Sequence, residues 1–190
     1  MNIETEVKIA TPSAAEAARL LRLAGFEVTH PRVFESNQIY DWPGETLRTS
    51  HRLLRLRQVD QKFTLAYKGV PDRSRHKSRE EIEAVTADGP ELAAILERLG
   101  LERTLRYDKY RTEFGRPREA GVAMLDETPV GVYLELEGAG EWIDATARAM
   151  GFDESHYITA SYGRIFREWC AVRGVDPGRG MVFETHPPPW

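Results

Sequence analysis

Cysteine is almost absent: Cys170 stands alone in 190 residues, so no disulfide can form within the chain, and a reducing cytoplasm is the expected setting. Long apolar runs are absent too. No segment approaches the roughly 20 consecutive apolar residues of a membrane-spanning helix, so no membrane partner is expected. Glu4, Glu6 and Lys8 interrupt the stretch where the apolar part of a signal peptide would lie, and none is expected. Positive charge is not in excess. A formal net charge of −4, with 29% charged against 41% hydrophobic residues, gives no support for an extended nucleic-acid surface but leaves room for a local basic site. His30, His51, His76, His156 and His186 lack metal-ligand spacing, so surface or packing roles are expected of them. Ser161 and Cys170 have no base partner visible in the sequence, which leaves little case for a nucleophile. What remains is one domain, a monomer or homodimer, long enough to bury a core without staples.

Helix signals are clear in three places. Thr11 followed by Pro12 reads as a helix start, and SAAEAARLLRLA keeps helical spacing until Gly25, which gives a helix over about 12–24. GPELAAILERL follows Asp88 and stops at Gly100; EWIDATARAM stops at Gly151. Between them VFESNQIYDW, HRLLRLRQV, KFTLAYKG, SREEIEAV, RYDKYRTEF, VAMLDE and GVYLELEG read as strands. With the opening IETEVKIA there are about eight, a number compatible with a closed barrel or a strongly curved sheet. A weak internal echo pairs Glu4-Thr5-Glu6 and its following helix with Glu81-Ile82-Glu83 and its own. The segment SYGRIFREWCAVR reads as an amphipathic helix. After it, GVDPGRGMVFETHPPPW reads as an irregular Gly/Pro-rich tail, so 1–174 forms the domain and 175–190 the tail. Phe183 and Trp190 are the residues able to dock that tail, with disorder the default.

Strand alternation then sorts the charges. In IETEVKIA, Glu4, Glu6 and Lys8 share one face and Ile3, Thr5, Val7 and Ile9 the other. An ordinary half-buried strand turns such charges to water. The later strands, however, repeat the pattern with like charges two apart: Arg55 and Arg57, Glu81 and Glu83, Lys109 and Arg111, Glu135 and Glu137. Charges roughly 6 to 7 Å apart on one strand repel if nothing relieves them. Relief is available if the charged faces converge on a shared interior, where metal ions satisfy carboxylates and phosphates satisfy cations, and the apolar faces lie outside under the three helices. The acidic group is then Glu4, Glu6, Asp126, Glu135 and Glu137, with Glu81 and Glu83 as further candidates. The basic group is Lys8, Arg55, Arg57, Lys68, Lys109 and Arg111, with Arg79 on the Glu81 face. Carboxylates without a His or Cys cluster favour Mg²⁺ or Mn²⁺ over zinc, and a chain of phosphates offers the oxygens that Arg forks and Lys ammonium groups need. The competing structural reading is that these charges chiefly satisfy one another.

Glu4-x-Glu6-x-Lys8 resembles the amino-terminal signature of the CYTH superfamily, the triphosphate tunnel metalloenzymes. IYDWPGETL, LLRLR, LAYKG, REEIE, YDKYR and LDETPVGVYLELE resemble the family's later elements in order and spacing, from about residue 3 to Tyr162. The resemblance implies an α+β fold: an antiparallel eight-stranded β-barrel or tunnel with helices packed outside, binding a triphosphate with divalent metal. It implies Glu4, Glu6, Glu135 and Glu137 as metal ligands, with Asp126 supporting a second metal. It also implies Lys8, Arg55, Arg57, Lys68, Lys109 and Arg111 as phosphate ligands, and Glu4, Glu6 and Lys8 as the catalytic signature. One departure is informative. Thiamine-triphosphatase-like members carry a tyrosine just before the Tyr-Asp pair, and here Ile39 precedes Tyr40-Asp41, which argues against that activity; Tyr40 itself reads as packing or substrate-lining.

The short chain, with QIYDWP, AYKG and LDETPVGVYLELE, is most similar to the class IV adenylyl cyclase-like branch, which implies conversion of ATP to cyclic AMP and pyrophosphate. Alternatives are an inorganic or nucleoside triphosphatase releasing orthophosphate, and a non-catalytic polyphosphate or nucleotide sensor. The expected partner is therefore ATP, inorganic triphosphate or another triphosphate-bearing small molecule. A nucleic-acid 5′-triphosphate finds no extended phosphate-tracking surface in so acidic a chain.

Overall fold

Strands that repeat paired like charges on one face can bury both faces by curling that face inward and covering the other with helices. A computed structural model, which describes residues 2–72, 74–178 and 180–184, has that form. The strands are β1 (Asn2–Thr11), β2 (Glu27–Asp41), β3 (Leu53–Val59), β4 (Lys62–Lys68), β5 (Lys77–Thr86), β6 (Glu102–Gly115), β7 (Val122–Thr128) and β8 (Gly131–Glu137). The helices are α1 (Ala14–Leu23), α2 (Thr46–Thr49), α3 (Gly89–Arg98), α4 (Gly140–Ala149) and α5 (Tyr162–Arg173). The barrel is closed in the order β1-β5-β4-β3-β2-β6-β7-β8, with antiparallel pairing throughout. Closure removes the sheet edges that would otherwise expose unpaired backbone.

The apolar core lies outside the barrel. Val7, Ile9, Leu134 and Leu136 are fully buried against Ala17 and Leu21 of α1 and Ile143 and Ala147 of α4. Around the barrel, Leu56 and Phe63 meet Ala93 and Leu96 of α3 in a second cluster that includes Tyr40. Tyr40 is thus a packing residue. Burying each large apolar side chain is worth roughly 1.5–3 kcal/mol, so these helices hold the barrel shut while its inner face is left to charge. The cover is incomplete, since Ile82 on β5 remains 57% exposed.

Local signals set the helix ends. Ser13, not the Thr11–Pro12 pair, caps α1 by accepting from the Glu16 N–H at 3.2 Å; Thr11 belongs to β1. Asp88 caps α3 in the same way, through the Glu91 N–H at 2.9 Å. The β2 strand begins at Glu27, ahead of the VFESNQIYDW run, because the long β6 gives it a partner along its whole length.

The tail is better ordered than its composition suggests. Only the distal part of β6, Tyr110–Phe114, pairs with β7, so the proximal part has an open side. Met181 fills it: its N–H donates to the Arg106 carbonyl at 3.0 Å, and its carbonyl accepts from the Asp108 N–H at 2.8 Å. Gly180 makes this approach possible, since its φ is +100° and a Cβ there would overlap the Arg106 carbonyl oxygen. Phe183 stacks on Tyr110 at 5.2 Å. Met181 and Phe183 thus dock the tail on the barrel, in place of the expected disorder among the described residues of the tail; Trp190 and His186 lie outside the described residues. Among the described residues no helix is long and apolar enough to cross a membrane.

Candidate active site in the tunnel

The barrel encloses a cavity of about 880 Å³. Register decides what faces it. Glu6 lies directly opposite Glu137 and Lys8 opposite Glu135 across β1 and β8, while Glu4 stands two residues along from Glu6 on the same face. Glu4, Glu6, Glu135 and Glu137 therefore line one wall. Lys68 donates to both oxygens of Glu4, at 2.8 and 2.6 Å, and lies 2.9 Å from Glu81. Lys77 bonds Glu6, and Lys8 bridges Glu6 at 3.2 Å and Glu135 at 2.9 Å. Glu137 has no ion pair among the described residues. Burial, and then the charges of Glu4, Glu135 and Glu6, push its carboxyl up to about 7. Glu4 is raised for the same reasons, burial first and Glu6 next. Burial also disfavours the charge on Glu135, yet Lys8 and Arg111 outweigh that effect and hold it at about 2. Lys77 is lowered to about 8, chiefly by burial, with Lys8 and Arg79 adding to it.

The opposite wall is a basic arc. Arg55 lies 3.6 Å from Glu81 and donates to the Tyr107 hydroxyl at 3.4 Å; Arg57 donates to Glu83 at 3.3 Å. Lys109 and Arg111 converge on Asp126, with Lys109 Nζ at 2.9 Å and Arg111 Nε and Nη2 at 2.7 and 2.6 Å, and Arg111 also reaches Glu135 at 2.8 Å. Despite complete burial, which raises a carboxyl, Arg111 and Lys109 hold Asp126 at about 2. Glu35 is held at about 2 by Lys109 and Arg111 against the same burial cost. The Nε atoms of Arg55 and Arg79 are buried with no hydrogen-bond acceptor.

This lining is one that a hard divalent cation and an anion together would satisfy. One wall crowds four carboxylates together and leaves Glu137 without a cation among the described residues, and clustered carboxylate oxygens are the donor chemistry of Mg²⁺ or Mn²⁺. Arg55 on the other wall, and Arg79 beside Glu4, each keep a buried Nε without an acceptor. Among the described residues no three acidic or histidine side chains form a ready cage, because Lys68, Lys77 and Lys8 now occupy the carboxylates. Both sets therefore fit, with the lysines exchanging partners on binding.

All the residues expected from the sequence face the interior, but not equally. Lys8, Arg55, Arg57, Lys68, Lys109 and Arg111 line the cavity, as do Glu81, Glu83 and Arg79. Asp126 does not. It is fully buried behind Lys109 and Arg111 and would reach a metal only by giving one of them up. Lys77, Glu35 and Tyr162 are not among the site residues read from the sequence, and His76 is expected there only in a surface or packing role. Lys77 is one residue outside the expected strand but on the Arg79–Glu81–Glu83 alternation, so a longer strand finds it, whereas Glu35 lies inside the expected VFESNQIYDW strand on the Asn37–Ile39 alternation. His76 is buried and pairs with Asp144 of α4 at 2.8 Å, a tertiary contact that no spacing signals.

Comparison with known proteins agrees with this fold. The chain matches the CYTH domain over residues 2–153. A protein of Methanocaldococcus jannaschii, provisionally named an adenylate cyclase, is 27% identical over 135 residues, 71% of this chain and 76% of that one. A structure from Vibrio parahaemolyticus, also provisionally named an adenylate cyclase, superimposes with a TM-score of 0.75 at 20% identity, covering 87% of this chain and 98% of that one. The HpAC1 protein of Hippeastrum gives a TM-score of 0.63 at 18% identity over 98% of this chain and 100% of its own; it bears a provisional adenylyl cyclase name and is described as having a dominant triphosphatase activity. At these identities the structural likeness concerns the fold.

Proposed function

From the premise that this chain belongs to the CYTH domain family, whose members process triphosphate-bearing substrates with divalent metal, we propose that it converts ATP to cyclic AMP and pyrophosphate in the tunnel. One observation supports the reading: a crowded carboxylate wall, with Glu137 left without a cation among the described residues, shares one cavity with Arg55, Arg57, Lys109 and Arg111. An apolar shelf at one mouth, built from Ile39, Leu47, Leu53 and Leu105, suits a nucleobase better than it suits inorganic triphosphate.

In cyclisation the ribose 3′-oxygen forms a bond to the α-phosphorus, the bond from that phosphorus to the bridging oxygen breaks, and pyrophosphate leaves as the 3′-hydroxyl proton is released. Arg55, Arg57, Lys109 and Arg111 hold phosphate oxygens in line and stabilise the charge that grows on the leaving group. Lys68 and Lys8 exchange carboxylate oxygens for phosphate oxygens. Glu4, Glu6, Glu135 and Glu137 would hold Mg²⁺ or Mn²⁺, which would neutralise phosphate charge. Asp126 and Glu35 keep the basic arc extended toward the substrate.

Hydrolysis, in which water attacks the terminal phosphorus, is the second reading. The Hippeastrum protein favours it, because a cyclase name there accompanies triphosphatase activity. Purified protein given ATP or inorganic triphosphate, each with Mg²⁺, Mn²⁺ or chelator, separates the two. Metal-dependent cyclic AMP and pyrophosphate are expected. Orthophosphate without cyclic product makes hydrolysis the reaction, and binding without turnover makes the protein a sensor.

A further inference from the structure

The matched family region ends at residue 153, yet the start of α5 beyond it also lines the cavity, and Tyr162 there joins the charged network. Tyr162 opens α5, is 5% exposed, and donates its hydroxyl to Asp126 Oδ2 at 2.6 Å. That same oxygen accepts from Lys109 and from Arg111 Nη2. The ring lies beneath two ammonium groups, with Lys8 Nζ 5.1 Å and Lys109 Nζ 5.2 Å from its centroid. Tyr133 and Tyr107 fix the ring from the side, at 5.7 and 5.9 Å. Behind it, Phe166, Cys170 and Met181 pack α5 and the tail onto the barrel.

We propose that Tyr162 is a positioning residue that sets Lys8 and Lys109 for phosphate binding, so that the site is incomplete without α5. The inference rests on the tunnel being a phosphate site. Two features separate this role from simple packing. A packing residue at this place needs only an apolar ring, whereas the hydroxyl here orients the carboxylate that orders Lys109 and Arg111. Moreover, a desolvated ammonium over an aromatic face is attracted by roughly 0.5–2 kcal/mol, and here one ring serves two lysines from different strands, β1 and β6. Burial, and then Asp126 and Glu135, raise the phenol well above its usual range, so it remains a donor.

The test uses the full chain as wild type, Tyr162→Phe, Tyr162→Leu and a packing control, Phe166→Leu. Inorganic triphosphate binding is measured by calorimetry in chelator, and lysine side chains are followed by NMR. Tyr162→Phe is expected to weaken binding about fivefold to tenfold, which is about 1–1.4 kcal/mol, and Tyr162→Leu more. Ring-current shifts of two lysines should persist in Tyr162→Phe and vanish in Tyr162→Leu. Phe166→Leu should lower the melting temperature while leaving affinity and those shifts in place. Unchanged affinity in Tyr162→Phe, or an equal loss in Phe166→Leu, overturns the positioning role. If the wild type binds triphosphate neither in chelator nor with Mg²⁺ while the two lysine shifts are present, the phosphate reading itself fails and takes this inference with it.

Discussion

Replacing Glu137 with Gln should stabilise the metal-free protein, an outcome opposite to that of most substitutions in a folded interior. Glu137 faces Glu6 directly across the β1·β8 ladder, has Glu4 and Glu135 nearby, and has no cation of its own among the described residues. Its carboxyl is raised from 4.5 to about 7, a change worth about 3 kcal/mol at most. The sign follows from proton linkage. The folded state holds this proton more tightly than the unfolded chain, so the stabilisation by protonation is complete below about pH 4.5 and is lost as pH rises through about 7. Glutamine removes the ionised penalty at every pH. In chelator, Glu137→Gln should therefore match wild type near pH 4.5 and exceed it by about 1–3 kcal/mol at pH 8, allowing for partial exposure. Urea denaturation at several pH values measures the gap. Saturating Mg²⁺ or Mn²⁺ should stabilise wild type more than the variant, because a ligand stabilises the state that binds it, and metal-dependent turnover should collapse in the variant. A variant less stable than wild type in chelator at pH 8, or a gap that ignores pH, would refute the crowded-carboxylate reasoning.

Asp126→Asn should behave in the opposite way. Removing one partner of a buried ion pair costs about 3–5 kcal/mol, but Arg111 keeps Glu135 and Lys109 keeps Glu35, so a loss of about 2–3 kcal/mol is expected in urea denaturation. Arg57→Ala should weaken inorganic triphosphate binding about tenfold by calorimetry, with stability nearly unchanged because the side chain is 22% exposed; normal affinity would mean that Arg57 faces away from the phosphates. Ending the chain after Gly178 removes Met181 from the open side of β6, and light scattering should then detect concentration-dependent association through that edge.

Much of the site was legible because a strand has a strict period of two. Once IETEVKIA placed Glu4, Glu6 and Lys8 on one face, the repeat of like charges at Arg55 and Arg57, Lys109 and Arg111, and Glu135 and Glu137 implied that those faces met, and the barrel brings them together. The outward apolar face followed from the same alternation, as Val7, Ile9 and Leu134 show. What period cannot convey is who stands beside whom. Asp126 shares the inward face with Arg111, and only the β6·β7 register shows that Arg111 claims it. Tyr162 lay on an unremarkable helix start, and its role depends on the placement of α5 against the barrel. The tail's Gly and Pro content concealed Met181, whose order comes from a free strand edge more than seventy residues earlier in the chain. The short α2 turn is set by Asp41, which accepts from the Leu47 and Arg48 N–H groups at 2.8 and 2.9 Å, a contact that no helical periodicity announces.

The central claim is that the carboxylate wall takes a divalent metal and the basic arc a triphosphate. Anomalous diffraction from crystals holding Mn²⁺ and inorganic triphosphate tests it most directly. The account predicts manganese among Glu4, Glu6, Glu135 and Glu137, with phosphates running along Lys8, Arg55, Lys68, Lys109 and Arg111. Manganese bound outside the barrel, or triphosphate lying on the outer surface while the tunnel charges still pair with one another, would contradict it.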